Sequence, residues 1–147
     1  MNRFKKHIIA LLLGFVLADP SNLTIEQSQN QAFYYFDAAT LDGVSLQGDD
    51  YILAYNNDVL IGSTQWFGDN TVLAVMGLDD TPFTEGYIAE GVVPSIVIYD
   101  ASSGEYYESL VVTVPEFYNN EIYLDIVMDI VTDCNGDLGG SAVIDDC

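Results

Sequence analysis

From Gln31 onward, short apolar runs alternate with clusters of Asn, Asp, Gly and Ser, with a strand-like run arriving about every eight to twelve residues. In YILAYNND, Tyr51, Leu53 and Tyr55 alternate with Ile52 and Ala54. A period of two sends successive side chains to opposite faces of an extended chain. This pattern predicts strands over residues 31–39, 51–55, 59–66, 71–76, 95–100, 105–114 and 121–131. The breaks between them are turn formers: Asn56-Asn57-Asp58, Gly68-Asp69-Asn70, Ala101-Ser102-Ser103-Gly104 and Asn119-Asn120. Gly104 sits where a hairpin loop calls for a positive φ.

The run 121–131 has two readings. Asp125, Asp129 and Asp133, four apart, suit one face of a helix, but Ile122, Leu124, Ile126, Met128 and Ile130 alternate strictly with their neighbours. β-Branched residues dominate, which favours the strand.

These elements predict an all-β fold: an antiparallel β-sandwich of about 7–8 strands, Ig-like or jelly-roll-like, over residues 31–132. A closed barrel is the alternative. Residues 19–30, DPSNLTIEQSQN, are polar and unpatterned and read as a lead-in linker; residues 133–147, DCNGDLGGSAVIDDC, form a separate tail rich in Gly and Asp.

Charge changes the picture at the N-terminus. Arg3, Lys5, Lys6 and His7 are the only basic side chains in the 147 residues, and eleven apolar or small residues follow, Ile8 to Ala18. At about 1.5 Å each they cover about 16 Å of a membrane core about 30 Å thick, too little for an anchor. A basic start, a short apolar stretch, and Val16 and Ala18 before Asp19-Pro20 predict a secretory signal peptide over residues 1–18. Its removal leaves 147 − 18 = 129 residues with 23 acidic and no basic side chains, so the charge passes from −20 to −23. The expected location is outside the cell, secreted or at the cell surface. A chain without cations makes no internal salt bridges, and it repels nucleic acid and anionic membranes. Its self-repulsion is relieved by salt or divalent cations. Half of the residues are apolar and ten are Tyr, which separates the chain from disordered acidic tails.

The same composition excludes most catalysis. Without His, Lys or Arg there is no Ser-His-Asp triad, Cys-His pair, Schiff-base Lys or Arg clamp. Carboxylate-only chemistry of the glycosidase type survives, with Asp79-Asp80 or Glu85 as candidates. With 23 carboxylates, however, some pair falls at a suitable spacing by chance, and the expectation is a protein that is not an enzyme.

Calcium is the expected cofactor, because it accepts carboxylate, amide and carbonyl oxygens in irregular loops. Asp133, Asn135 and Asp137 form a D-x-N-x-D run, and Asp145 supplies a further oxygen ligand. Leu138 and Ile144 stand where an EF-hand needs its Gly and Glu, so the run is not an EF-hand. The competing reading is a solvated acidic turn. Cys134 and Cys147 are the only cysteines, an even count that suits a bridge in an exported chain. Closing that loop contributes about 3 kcal/mol. The alternative is that each pairs with residues beyond the C-terminus. Trp66 and Tyr87, with the other tyrosines, are candidates for a sugar-stacking platform, although strand aromatics more often fill cores. Asn22-Leu23-Thr24 fits a glycosylation sequon within the lead-in.

Three stretches carry a resemblance: GDDYILAYNNDVLIGSTQW (Gly48 to Trp66), Met76 to Asp80, and TEGYIAEGVVPSIVIYDASSGEYY (Thr84 to Tyr107). Over residues 31–114 the chain resembles a β-sandwich module that recurs in large secreted bacterial proteins. That pattern runs as a GD-x-I-x-A-aromatic strand, an N/G-D turn, a strand with a central Gly, a D-D loop, a G-[FY] loop and a closing I-x-[YW]-D-A strand. The tail resembles the Asp/Cys/Gly repeats of bacterial thrombospondin type 3-like calcium-binding arrays. In those arrays more repeats follow the second Cys, which implies a chain continuing past Cys147 and leaves the Cys134 to Cys147 pairing open. The resemblances imply a non-catalytic adhesion or scaffold module, with calcium, a polysaccharide or another surface protein as partner. The alternatives are a carbohydrate-binding module and a subunit of an extracellular filament that self-associates through its sheet edges.

Overall fold

The computed structural model describes residues 20–108, 114–131 and 133. The expected leader (residues 1–18) and Cys134, Asn135, Asp137, Asp145 and Cys147 lie outside the described residues. Eight strands run in chain order: β1 (Gln31–Leu41), β2 (Val44–Ser45), β3 (Tyr51–Asn56), β4 (Val59–Gln65), β5 (Thr71–Met76), β6 (Ser95–Asp100), β7 (Glu105–Glu108) and β8 (Ile122–Ile130). They form two four-stranded sheets, so the chain is an all-β sandwich. In the first sheet β1 is central, with β2 and β5 on one edge and β8 on the other; the second has the order β4-β3-β6-β7.

Turn chemistry sets the connections. Asn57 (φ 52°), Asn70 (φ 64°) and Asn120 (φ 64°) supply left-handed positions in three of the expected turns, and Gly104 (φ 73°) closes the β6–β7 hairpin. Sequence patterning passes over β2, which is only two residues long. Its local signal is the Asp42-Gly43 pair, with both φ values positive (49° and 73°), the geometry of a two-residue hairpin.

Among the described residues the antiparallel expectation holds for every strand pair except one. β1 and β8, the first and last strands, run parallel from Phe33↔Ile122 to Leu41↔Ile130. Their register shifts twice. The offset is 123 − 34 = 89 at Tyr34↔Tyr123, 126 − 36 = 90 at Phe36↔Ile126, and 127 − 38 = 89 again at Ala38↔Val127. An extra residue in β8 near Asp125 (φ 59°) is offset by one in β1 at Asp37, and each bulge flips the side-chain alternation of its strand.

The flip corrects the strict alternation expected for this segment. Ile126, Met128 and Ile130 turn inward, but ahead of the bulge it is Tyr123 that faces the core, its ring 4.7 Å from that of Tyr34. Ile122 and Leu124 are turned out, 56% and 63% exposed.

The core fills the space between the sheets. Tyr34, Phe36, Leu73 and Met128 from the first meet Ile52, Ile61 and Ile98 from the second. Each such side chain contributes about 1.5–3 kcal/mol by leaving water. The Tyr34 hydroxyl donates to Pro115 O at 3.1 Å. Burial, with Tyr123 adding to it, pushes the Tyr34 phenol well above its ordinary range.

Two glycines mark close approaches. A Cβ on Gly77 would lie 2.4 Å from the Phe117 ring, which is 1% exposed. A Cβ on Gly62 would lie 2.6 Å from Ala74 O, where the edge strand β4 crosses the edge strand β5.

Candidate functional site

The motif carboxylates lie at opposite ends of the sandwich and serve the loops there. Asp50 ends the segment before β3 and is only 4% exposed. Its carboxylate accepts the backbone N–H of Gln47 (2.6 Å) and that of Ala101 (2.9 Å). Its carbonyl accepts Trp66 N–H at 2.9 Å. One residue thus ties the β2–β3, β4–β5 and β6–β7 connections together. The GDD and YDA stretches, fifty residues apart in sequence, meet here. Asp100 caps its own turn, accepting from Ser102 N (2.8 Å) and Ser103 Oγ (2.9 Å). These bonds hold its carboxyl below the usual range, against partial burial acting the other way.

At the other end Asp79 is the hub. Its Oδ1 accepts from Thr81 N (2.8 Å), Thr81 Oγ1 (2.5 Å) and Thr84 Oγ1 (2.8 Å), and its Oδ2 from Gln29 N (3.0 Å). Four donors, the Thr81 hydroxyl foremost, hold its carboxyl far below the ordinary carboxylate range. A depressed folded-state pKa means a stabilisation that is complete above the free carboxylate's range. It is lost only as the pH falls through the depressed value. An acid held ionised in this way is unsuited to the general-acid role of a carboxylate pair. Beside it, Gln29, Asn30, Leu78, Asp79 and Asp80 line an open hollow of about 320 Å³.

The end of the expected linker is part of this arrangement. Ser28 is buried and donates to Gly77 O at 2.6 Å; Asn30 Nδ2 donates to Leu78 O at 2.7 Å. Glu26 N donates to the Tyr87 hydroxyl at 2.9 Å, which in turn donates to Glu26 O at 3.2 Å.

Neither proposed sugar-stacking ring is on the surface. Trp66 is 6% exposed and Tyr87 8%, and both belong to the core cluster. The platform reading is corrected at these two positions, because a buried ring offers no face to a sugar. Tyr51, Tyr99 and Tyr106 do make a row across β3, β6 and β7, with centroids 6.4 and 4.8 Å apart. Their interplanar angles of 62° and 51° suit edge-to-face packing between strands rather than a common plane.

Of the four proposed calcium ligands only Asp133 is described, partly exposed just beyond β8. Among the described residues there is no group of three or more His, Cys, Asp and Glu that could hold a metal ion, and no helix long and apolar enough to cross a membrane.

The surface feature that sequence reasoning missed is the outer side of β8. Ile122, Leu124, Val127 and Val131 are 56%, 63%, 63% and 50% exposed. Glu121, Asp125 and Asp129 interleave with them and are also exposed. Regular alternation would place Ile122 and Leu124 in the core, and no local signal announces the bulge that turns them out. No protein-family model matches the chain, and comparison with curated proteins and with solved structures finds no match.

Proposed function

We propose that the chain is an exported, non-catalytic β-sandwich module of a bacterial secreted or surface protein, serving adhesion or scaffolding, with calcium offsetting its charge. The observation that carries this reading is the use of the motif acids. Asp50 and Asp79 are occupied by backbone and hydroxyl donors that join the loops, as expected of residues that build a module rather than present chemistry to a substrate. The resemblance of residues 31–114 to secreted bacterial modules, and of the tail to calcium-binding repeats, supports the same reading. So does the polyanionic composition, which draws its counterions from outside.

Calcium is tested by melting. At constant ionic strength, replacing NaCl by millimolar CaCl2 should raise the melting temperature of the full chain by several degrees, because a ligand bound only by the folded state stabilises it. Equal melting in the two salts would remove calcium from the account and leave screening alone.

A further inference from the structure

We infer that the outer edge of β8 docks an extended basic segment of another protein, which adds as a further strand beside Leu124 and Val127. This rests on the reading of the chain as a binding or scaffold module and names the class of partner.

β8 is nine residues long, and among the described residues it pairs only with β1 and lies at an edge of the first sheet. An edge strand of this length is a template for strand addition, with main-chain hydrogen bonds giving affinity and side chains giving selectivity. Leu124 and Val127, each 63% exposed, supply the apolar contact. Around them stand Glu121, Asp125 and Asp129, all exposed. The Asp129 carboxylate accepts from Thr40 Oγ1 and from Gly43 N, which holds it on the β1 side of β8, so Glu121 and Asp125 are the acids nearest the outer edge.

Charge decides what fits. From Ile8 to Cys147 the chain has no Lys, Arg or His and carries all 23 of its acidic residues. A second copy would bring a like charge to this edge, with its own Glu121 and Asp125 against these. The acids beside this edge blunt it against pairing with a like-charged copy. The same acids attract a segment in which Lys or Arg alternates with apolar residues. Edge and charge together therefore select a cationic partner strand and reject a copy of the chain.

The probe is a nine-residue peptide alternating Lys and Val, matched to the length of β8, titrated calorimetrically into the full chain. A Lys-Ser peptide of equal charge controls for simple attraction. The inference expects one-to-one binding of the Lys-Val peptide in roughly 0.15 M NaCl, with amide shifts centred on residues 122–130. Binding should weaken about tenfold for the Lys-Ser peptide, and about tenfold for the chain carrying Leu124→Gln with Val127→Thr. Both substituted side chains are exposed, so the variant should melt as the parent does; should it not, Val127→Thr alone replaces it. Equal binding of the two peptides, unchanged binding by the variant, or a parent chain that dimerises and excludes the peptide would each overturn the inference. If peptide binding fails while calcium still raises the melting temperature, only the β8 surface is lost. Failure of both removes calcium and the β8 surface together, and the module reading itself is overturned only if the chain fails to attach to cells.

Discussion

Asp50→Ala should destabilise the sandwich by about 1–3 kcal/mol, because it removes a buried carboxylate that joins two part-buried backbone donors, Gln47 N and Ala101 N. A donor orphaned away from water costs about 1–3 kcal/mol, and water reaching these two loops offsets part of that. Removing one negative charge from a polyanion gives something back, but Asp50 is 4% exposed, and its carboxylate joins the β2–β3 and β6–β7 connections. Urea denaturation should show a lower midpoint with an unchanged slope, the sign of lost stability rather than of a changed unfolded state. Asp50→Asn, which keeps an oxygen for one of the two donors, should fall between the parent and the alanine variant. An alanine variant within about 0.5 kcal/mol of the parent would contradict the role given to this carboxylate.

Gly62→Val should cost about 1–3 kcal/mol, against the preference that valine normally brings to a strand. Propensity alone favours the substitution by up to about 1 kcal/mol. The new Cβ, however, would lie 2.6 Å from Ala74 O and 3.3 Å from the Ala54 Cβ. The nearest of these is backbone, which yields only by moving β5 away from β4. Thermal unfolding should record a fall on the order of 10 °C. Ser63→Val, the next residue and only partly buried, should be near neutral. Equal melting of the two variants would mean that the sheets are not held this closely at the β4–β5 corner.

Most strand positions are legible in the sequence for a plain reason. Runs such as Tyr51–Asn56 and Thr71–Met76 are short and bounded by residues that adopt positive φ, so local chemistry sets their ends. What escapes is decided by distant partners. The parallel pairing of β1 with β8 joins residues about ninety positions apart. Its paired bulges send Tyr123 inward and Leu124 outward against the regular alternation of the sequence. Trp66 and Tyr87 have the composition of a sugar platform, but a ring does not announce which side of a sheet or loop it will take. The motif acids are visible as motifs, yet only the folded chain brings Asp50 to Ala101 and Asp79 to Gln29. The tail that carries Asn135, Asp137 and Asp145 is read from its spacing and resemblance alone.

Attachment without chemistry, as proposed, is measured with beads coated with the full chain and mixed with bacterial cells in millimolar CaCl2. The beads should be retained on the cells and released by a calcium chelator, with no reducing sugar in the medium. Release of reducing sugar above that of uncoated beads, or retention no greater than that of beads coated with an unrelated acidic protein, would contradict it.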